Sequence, residues 1–129
     1  MASAIPTIVA TFLSAADYSA TPYRLVYVSA ADTVTRCAVA STPAQRPIGV
    51  LTDNVGSASG DPVSVQMGGI AKVECGAAVA AGAAVTTDSA GRGITTTTAA
   101  DFCLGVALEA GSAAGSIIAV SIRPFPYTA

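Results

Sequence analysis

Pro62-Val63-Ser64-Val65-Gln66-Met67-Gly68-Gly69-Ile70-Ala71-Lys72-Val73-Glu74-Cys75 alternates apolar and polar side chains on both sides of a glycine pair. In an extended chain Val63, Val65 and Met67 share one face, with Ser64 and Gln66 on the other. Beyond the glycines, Ala71, Val73 and Cys75 alternate in the same way with Lys72 and Glu74. Period-two patterning over this length predicts half-buried strands, and Gly68-Gly69 reads as a two-residue hairpin turn between them.

The flanking sequence carries the same signature. Strands are predicted over 23–29, 33–40, 48–52, 83–87 and 93–98. Further strands follow from the alternation of Phe102, Leu104, Val106 and Leu108 and from Ile118, Val120 and Ile122 before Pro124-Phe125-Pro126, which should end the last one. Asp88-Ser89-Ala90-Gly91 is a turn. Val, Ile and Thr far outnumber Leu, and the many alanines show no sustained 3.6-residue stripe. The only helical signal is one turn at Thr42-Pro43-Ala44-Gln45. The expected fold is mainly β: a small single-domain antiparallel β-sandwich or barrel over 23–123, with an extended N-terminal arm at 1–22 and a tail at 124–129.

An internal echo runs through this pattern. Gly49-Val50-Leu51, the loop Gly56-Ser57-Ala58-Ser59-Gly60 and Val63-Ser64-Val65 resemble Gly105-Val106-Ala107, Gly111-Ser112-Ala113-Ala114-Gly115 and Ile118-Ala119-Val120. Two related strand–loop–strand hairpins in equivalent places are expected.

Composition restricts function. Of 129 residues, 52% are hydrophobic and 11% charged, so a monomer would expose an unusually uncharged surface. Much of that surface is expected to be covered by other chains. Six Lys+Arg against eight Asp+Glu cannot form a basic face, which argues against nucleic acid as a partner. Mean hydropathy is +0.61, yet the longest apolar run, Cys75 to Val85, is too short to span a bilayer, and no membrane partner is expected. Met1 to Pro6 lacks the basic and apolar regions of a secretory signal.

Catalytic and metal chemistry have little to draw on. There is no His, no Gly-x-Ser-x-Gly, no Cys-x-x-Cys and no phosphate loop. Cys37, Cys75 and Cys103 read as buried apolar residues rather than ligands or disulfide partners. Asp17, Asp32, Asp53, Asp61, Asp88 and Asp101 sit mostly in turns, where carboxylates accept local backbone hydrogen bonds, and Asp53-Asn54 with Asp61 fits no calcium loop. No catalytic, cofactor or metal site is expected.

Ile5, Ile8, Val9, Phe12 and Leu13 make the N-terminal stretch too apolar for a disordered arm, so it either adds a strand or lies on a neighbour. Phe125 and Tyr127 carry two of the few aromatic rings into the tail, as a docking anchor would. These seven residues are the candidate interface with neighbouring chains.

Pro47-Ile48-Gly49-Val50, Gly60-Asp61-Pro62-Val63-Ser64-Val65, Glu74, the small-residue run from Gly76 to Val85, Asp88-Ser89-Ala90-Gly91, Leu104-Gly105-Val106-Ala107-Leu108-Glu109-Ala110, Gly115 and Val120-Ser121-Ile122 occur in this order. Over about residues 20 to 123 the chain resembles the capsid cement and head decoration proteins of tailed bacteriophages. That resemblance implies a non-enzymatic homotrimer at threefold and quasi-threefold positions on the outside of the head. It would be made in the host cytoplasm, bind the major capsid protein and reinforce the expanded shell. A glycan-binding surface domain, disfavoured by 5% aromatics and no Trp, and a tail or spike component are the competing readings.

Overall fold

The computed structural model describes residues 5–39, 45–52 and 58–128. Nine strands account for the regular structure, and no α-helix occurs among the described residues. The strands are β1 (Ile5–Ser14), β2 (Leu25–Ala30), β3 (Thr33–Arg36), β4 (Gly49–Leu51), β5 (Pro62–Glu74), β6 (Ala84–Thr87), β7 (Gly93–Thr95), β8 (Phe102–Ala107) and β9 (Ile117–Pro126). The expected mainly β class is what the chain adopts.

The long strand β5 organises the rest. Strand order runs β1-β3-β2-β4-β5, and β1 also pairs antiparallel with β5, so these five strands close into a barrel. From the other half of β5 the sheet continues as β9-β8-β6-β7. A parallel bridge from Cys75 to Gly93, with Gly76 N–H donating to Gly93 O at 2.9 Å, brings β7 back to the end of β5. The extra strands thus curl into a second ring that shares β5 with the first.

Alternation along β5 serves both interiors. Val63 and Val65 are buried in the first ring with Tyr18, Val26, Val34 and Leu51, and Phe12, Ile48 and Met67 pack against them. Val73 faces the second interior with Val79, Val85, Leu104, Ala107, Ile118, Val120 and Ile122. Full burial of a Val or Leu side chain contributes about 1.5–3 kcal/mol, which is what the period-two pattern supplies.

The second ring repeats the first, strand for strand. Val26↔Arg36 and Tyr27↔Thr35 between β2 and β3 have counterparts in Val85↔Thr95 and Thr86↔Ile94 between β6 and β7. Leu25↔Val50 corresponds to Ala84↔Val106, and Leu51↔Val65 to Ala107↔Val120. Phe12↔Val63 in the first ring matches Val73↔Ile118 in the second. Details off the ladder follow suit: Gly60 N–H donates to Ser14 O at 2.7 Å and Gly115 N–H to Cys75 O at 2.8 Å. Tyr23 N–H donates to Leu51 O at 2.9 Å and Gly82 N–H to Ala107 O at 2.7 Å. Left-handed backbone occurs in matched pairs too, at Tyr23 and Gly82, Asp32 and Gly91, Gly60 and Gly115. The echo between 49–65 and 105–120 is therefore the visible part of a duplication spanning the whole fold.

Several local expectations need correction. Gly68-Gly69 is not a hairpin turn: β5 runs through it. Gly69 has φ +81, and the pairing with β1 shifts register beside it, so the glycines make a bulge rather than a reversal. Gln66 Nε2 closes that bulge by donating to Gly68 O at 3.0 Å and Ile70 O at 2.8 Å. Likewise β9 continues through Pro124 to Pro126, paired with β8 at Cys103↔Phe125 and Phe102↔Pro126. Of the two courses open to the N-terminal stretch, residues 5–14 take the first and add a strand to the domain as a barrel stave, and β9 takes in 124–126 of the stretch assigned to a tail. β3 and β7 end earlier than expected, at Arg36 and Thr95. The helical turn lies outside the described residues apart from Gln45.

The two rings meet around Arg24. Its Nη1 donates to Ala90 O at 2.9 Å and its Nη2 pairs with Glu74 Oε2 at 3.0 Å, while Leu25 N–H donates to Gly91 O at 2.8 Å. Leu25 and Val50 project out of the first barrel and are buried with second-ring side chains. Lys72 Nζ lies 5.8 Å from the centre of the Tyr23 ring in the same seam.

Candidate functional site

Most carboxylates among the described residues are engaged within the fold. Asp17 Oδ1 accepts from Ser19 N–H and Oγ–H at 2.9 and 2.7 Å, and these bonds hold its carboxyl below the usual range. Asp88 accepts from Ala90 N–H, Arg92 N–H and Arg92 Nε across the β6–β7 turn. Asp61 accepts from Ala58 N–H, Asp101 from Thr96 Oγ1, and Glu109 from Ala119 N–H. Glu74 pairs with Arg24. Asp32 occupies a left-handed turn position, and Asp53 and Asn54 lie outside the described residues. Among the described residues no group of three His, Cys, Asp or Glu side chains could hold a metal, and no helix could cross a membrane.

All three cysteines are free and buried. Burial pushes the Cys37 thiol up to about 12 from 9.0. Burial, helped by the Asp101 charge, takes Cys103 to about 11, and burial followed by the Glu74 charge raises Cys75. A thiol whose pKa is raised by folding stabilises the native state below its unfolded value and loses that contribution as pH climbs through the folded one. Stability is therefore expected to decline between about pH 9 and 12. At pH 8 a thiol reagent should titrate no cysteine in the native protein and all three in denaturant; a fast native thiol would contradict the burial.

What the surface presents is apolar. Ile8, Val9 and Leu13 stand out from β1, at 54%, 49% and 43% exposure. Phe12, on the opposite face of that strand, packs into the first barrel. The Ile5 side chain lies outside the described residues. Phe125 lines a recess of about 230 Å³ with Arg46, Pro47, Phe102, Cys103, Pro124 and Pro126, and the Arg46 guanidinium stacks 4.8 Å from the Phe102 ring centre. Tyr127 is tied back by Tyr127 N–H to Asp101 O at 2.7 Å and Ala100 N–H to Tyr127 O at 2.8 Å. Of the seven candidate residues, the six whose side chains are described are thus split: three exposed on β1, Phe12 packed against the first core, Phe125 in β9 and Tyr127 just beyond it.

Sequence reasoning missed Val28, Val39, Val106 and Leu108 as exposed apolar residues. For the last two the cause is a register shift between Cys103 and Gly105 in β8. It turns Val106 outward at 36% exposure while Leu104 stays buried, so the clean alternation of 102, 104, 106 and 108 does not describe one face. The signal available was Gly105 itself, a residue that often marks a bulge in a strand.

With its thiols in the core, most of its described carboxylates bonded within the fold and small apolar patches facing solvent, the chain is a β-barrel protein that offers apolar contact surface. The comparison with known proteins makes the class specific. Residues 9–122 match the phage cement protein family, and the chain belongs to that family. It is a family of structural phage head proteins and not a class of enzymes. The fold is similar to that of the head fiber gp8.5 N base of bacteriophage phi29, with a TM-score of 0.68 and 21% sequence identity, covering 90% of this chain and 93% of that one. No curated protein matches the chain significantly.

Proposed function

We propose that this protein is a head cement that binds the outside of the expanded phage capsid as a homotrimer, contacts the major capsid protein and stabilises its lattice. The family match over residues 9–122 carries the reading, and the fold likeness to a head fiber base is consistent with a place on the head exterior. The physics of the surface supports it as well. Cementing needs broad, weakly charged contact area, because a charge at the centre of an interface must be desolvated. Many copies on one lattice then turn modest contacts into tight attachment. Ile8, Val9 and Leu13 on β1, Phe125 near the end of β9 and Tyr127 just beyond it are the side chains assigned to such contacts, together with Ile5. Phe12 serves the barrel interior.

The expected consequence is mechanical. Heads assembled without the protein should release their DNA at a lower temperature than decorated heads, and adding purified protein should restore the difference. Equal release temperatures with and without bound protein would contradict lattice stabilisation.

A further inference from the structure

The duplication says what should cover the open end of the molecule. Within the chain, the second ring seats on the first through its β6–β7 turn, where Ala90 O and Gly91 O accept from Arg24 and Leu25, and through Lys72 and Glu74 on the outer face of β5. The surface it covers is the outer face of β2 and β4, so that Leu25 and Val50 are 0% and 1% exposed. By the strand equivalences above, the second ring has its own version of that covered face: Gly82, Ala83 and Ala84 for Tyr23, Arg24 and Leu25, Thr95 for Arg36, and Val106 for Val50. Among the described residues nothing lies over it, and Val106 and the adjoining Leu108 are 36% and 43% exposed. The first ring, in turn, has its own version of the covering element. Ala31 and Asp32 in the β2–β3 turn stand for Ala90 and Gly91, and Val9, Thr11 and Leu13 on β1 stand for Ile70, Lys72 and Glu74. These are open as well.

We propose that copies of this chain associate head to tail through these two surfaces, the β1 face and β2–β3 turn of one copy seating on the β6–β8 face of the next as the second ring seats on the first. The inference rests on the homotrimer reading and deepens it by naming the surfaces. Of the large exposed apolar residues, Val9 and Leu13, with the neighbouring Ile8, fall on the covering strand and Val106 and Leu108 on the covered side, while Val28 and Val39 lie outside the scheme. The covered side carries no charge, and within the matched segments the covering side carries only Asp32. Such a contact is heterologous: it uses two different patches, so it must close into a ring or run on as a filament. A ring of three copies would place six quasi-equivalent barrels around one axis.

The test uses the full chain. Val106→Asp and Leu13→Asp each put a charge on one of the two surfaces at exposed positions, and circular dichroism checks that both variants fold. Light scattering should show the mass of each falling about threefold, from trimer to monomer. A second arm introduces Asp32→Cys and Thr95→Cys together, at positions that the internal contact would bring near one another between copies. Mild oxidation should give covalent dimers and trimers from the double variant and little from either single variant. Trimers that survive both aspartates, or equal cross-linking in the single variants, would overturn the head-to-tail contact while leaving head cementing intact if such trimers still sediment with heads. A wild-type chain that stays monomeric overturns the contact outright; if it also ignores heads, the cement reading falls with it.

Discussion

Gly105→Ala is expected to destabilise the protein by about 3 kcal/mol, a steric cost at the upper end for overpacking. A Cβ at Gly105 would overlap the Ser121 carbonyl oxygen and lie 3.0 Å from Arg123 N, and both obstacles are backbone atoms of β9. Relief requires β8 and β9 to separate where Gly105 pairs with Ile122 and Val106 with Ser121. The duplicated position behaves alike, since a Cβ at Gly49 would overlap the Gln66 carbonyl oxygen. Gly60→Ala is the control. That glycine has open space around it and φ +87, so alanine there pays only for a left-handed backbone, about 1–2 kcal/mol. Urea unfolding of the two variants compares them directly, and equal losses would contradict the close approach of β8 to β9.

Leu51→Ala and Leu104→Ala should each cost about 2–5 kcal/mol, because both side chains are fully buried and their removal leaves a cavity. The more telling part of this expectation is cooperativity. Leu51 belongs to the first barrel and Leu104 to the second ring, but β5 walls both, so neither ring can open without exposing the other. Calorimetry should therefore show one transition that either substitution lowers. Two transitions, each sensitive to one substitution, would mean that the rings fold independently.

The parts of this fold that could be read from the sequence are those set by local alternation. Val63, Val65, Ala71, Val73 and Cys75 announce an inward face, and each is buried. The echo between 49–65 and 105–120 was visible because Gly49 and Gly105 each face a carbonyl oxygen that leaves no room for a side chain, so the residue type is fixed. The rest of the duplication was not visible, since Leu25 and Ala84, or Arg36 and Thr95, share a pairing register and not a side chain. Register leaves no trace in residue identity when the backbone makes the bonds. For the same reason Gly68-Gly69 could not be told from a hairpin: a glycine pair permits a reversal or a bulge, and the choice is made by β1 pairing alongside. On the surface, Ile8, Val9 and Leu13 were singled out by their apolar character as interface candidates, and all three side chains are exposed. Val106 and Leu108 were hidden by the shift in β8 that undoes simple counting.

The most direct test of the cement reading is co-sedimentation of the purified protein with expanded, undecorated heads, with unexpanded heads as the comparison. The protein is expected to pellet with expanded heads up to a saturating number of copies per head, and much less with unexpanded ones. Protein that remains in the supernatant with expanded heads at every concentration would contradict a cementing role.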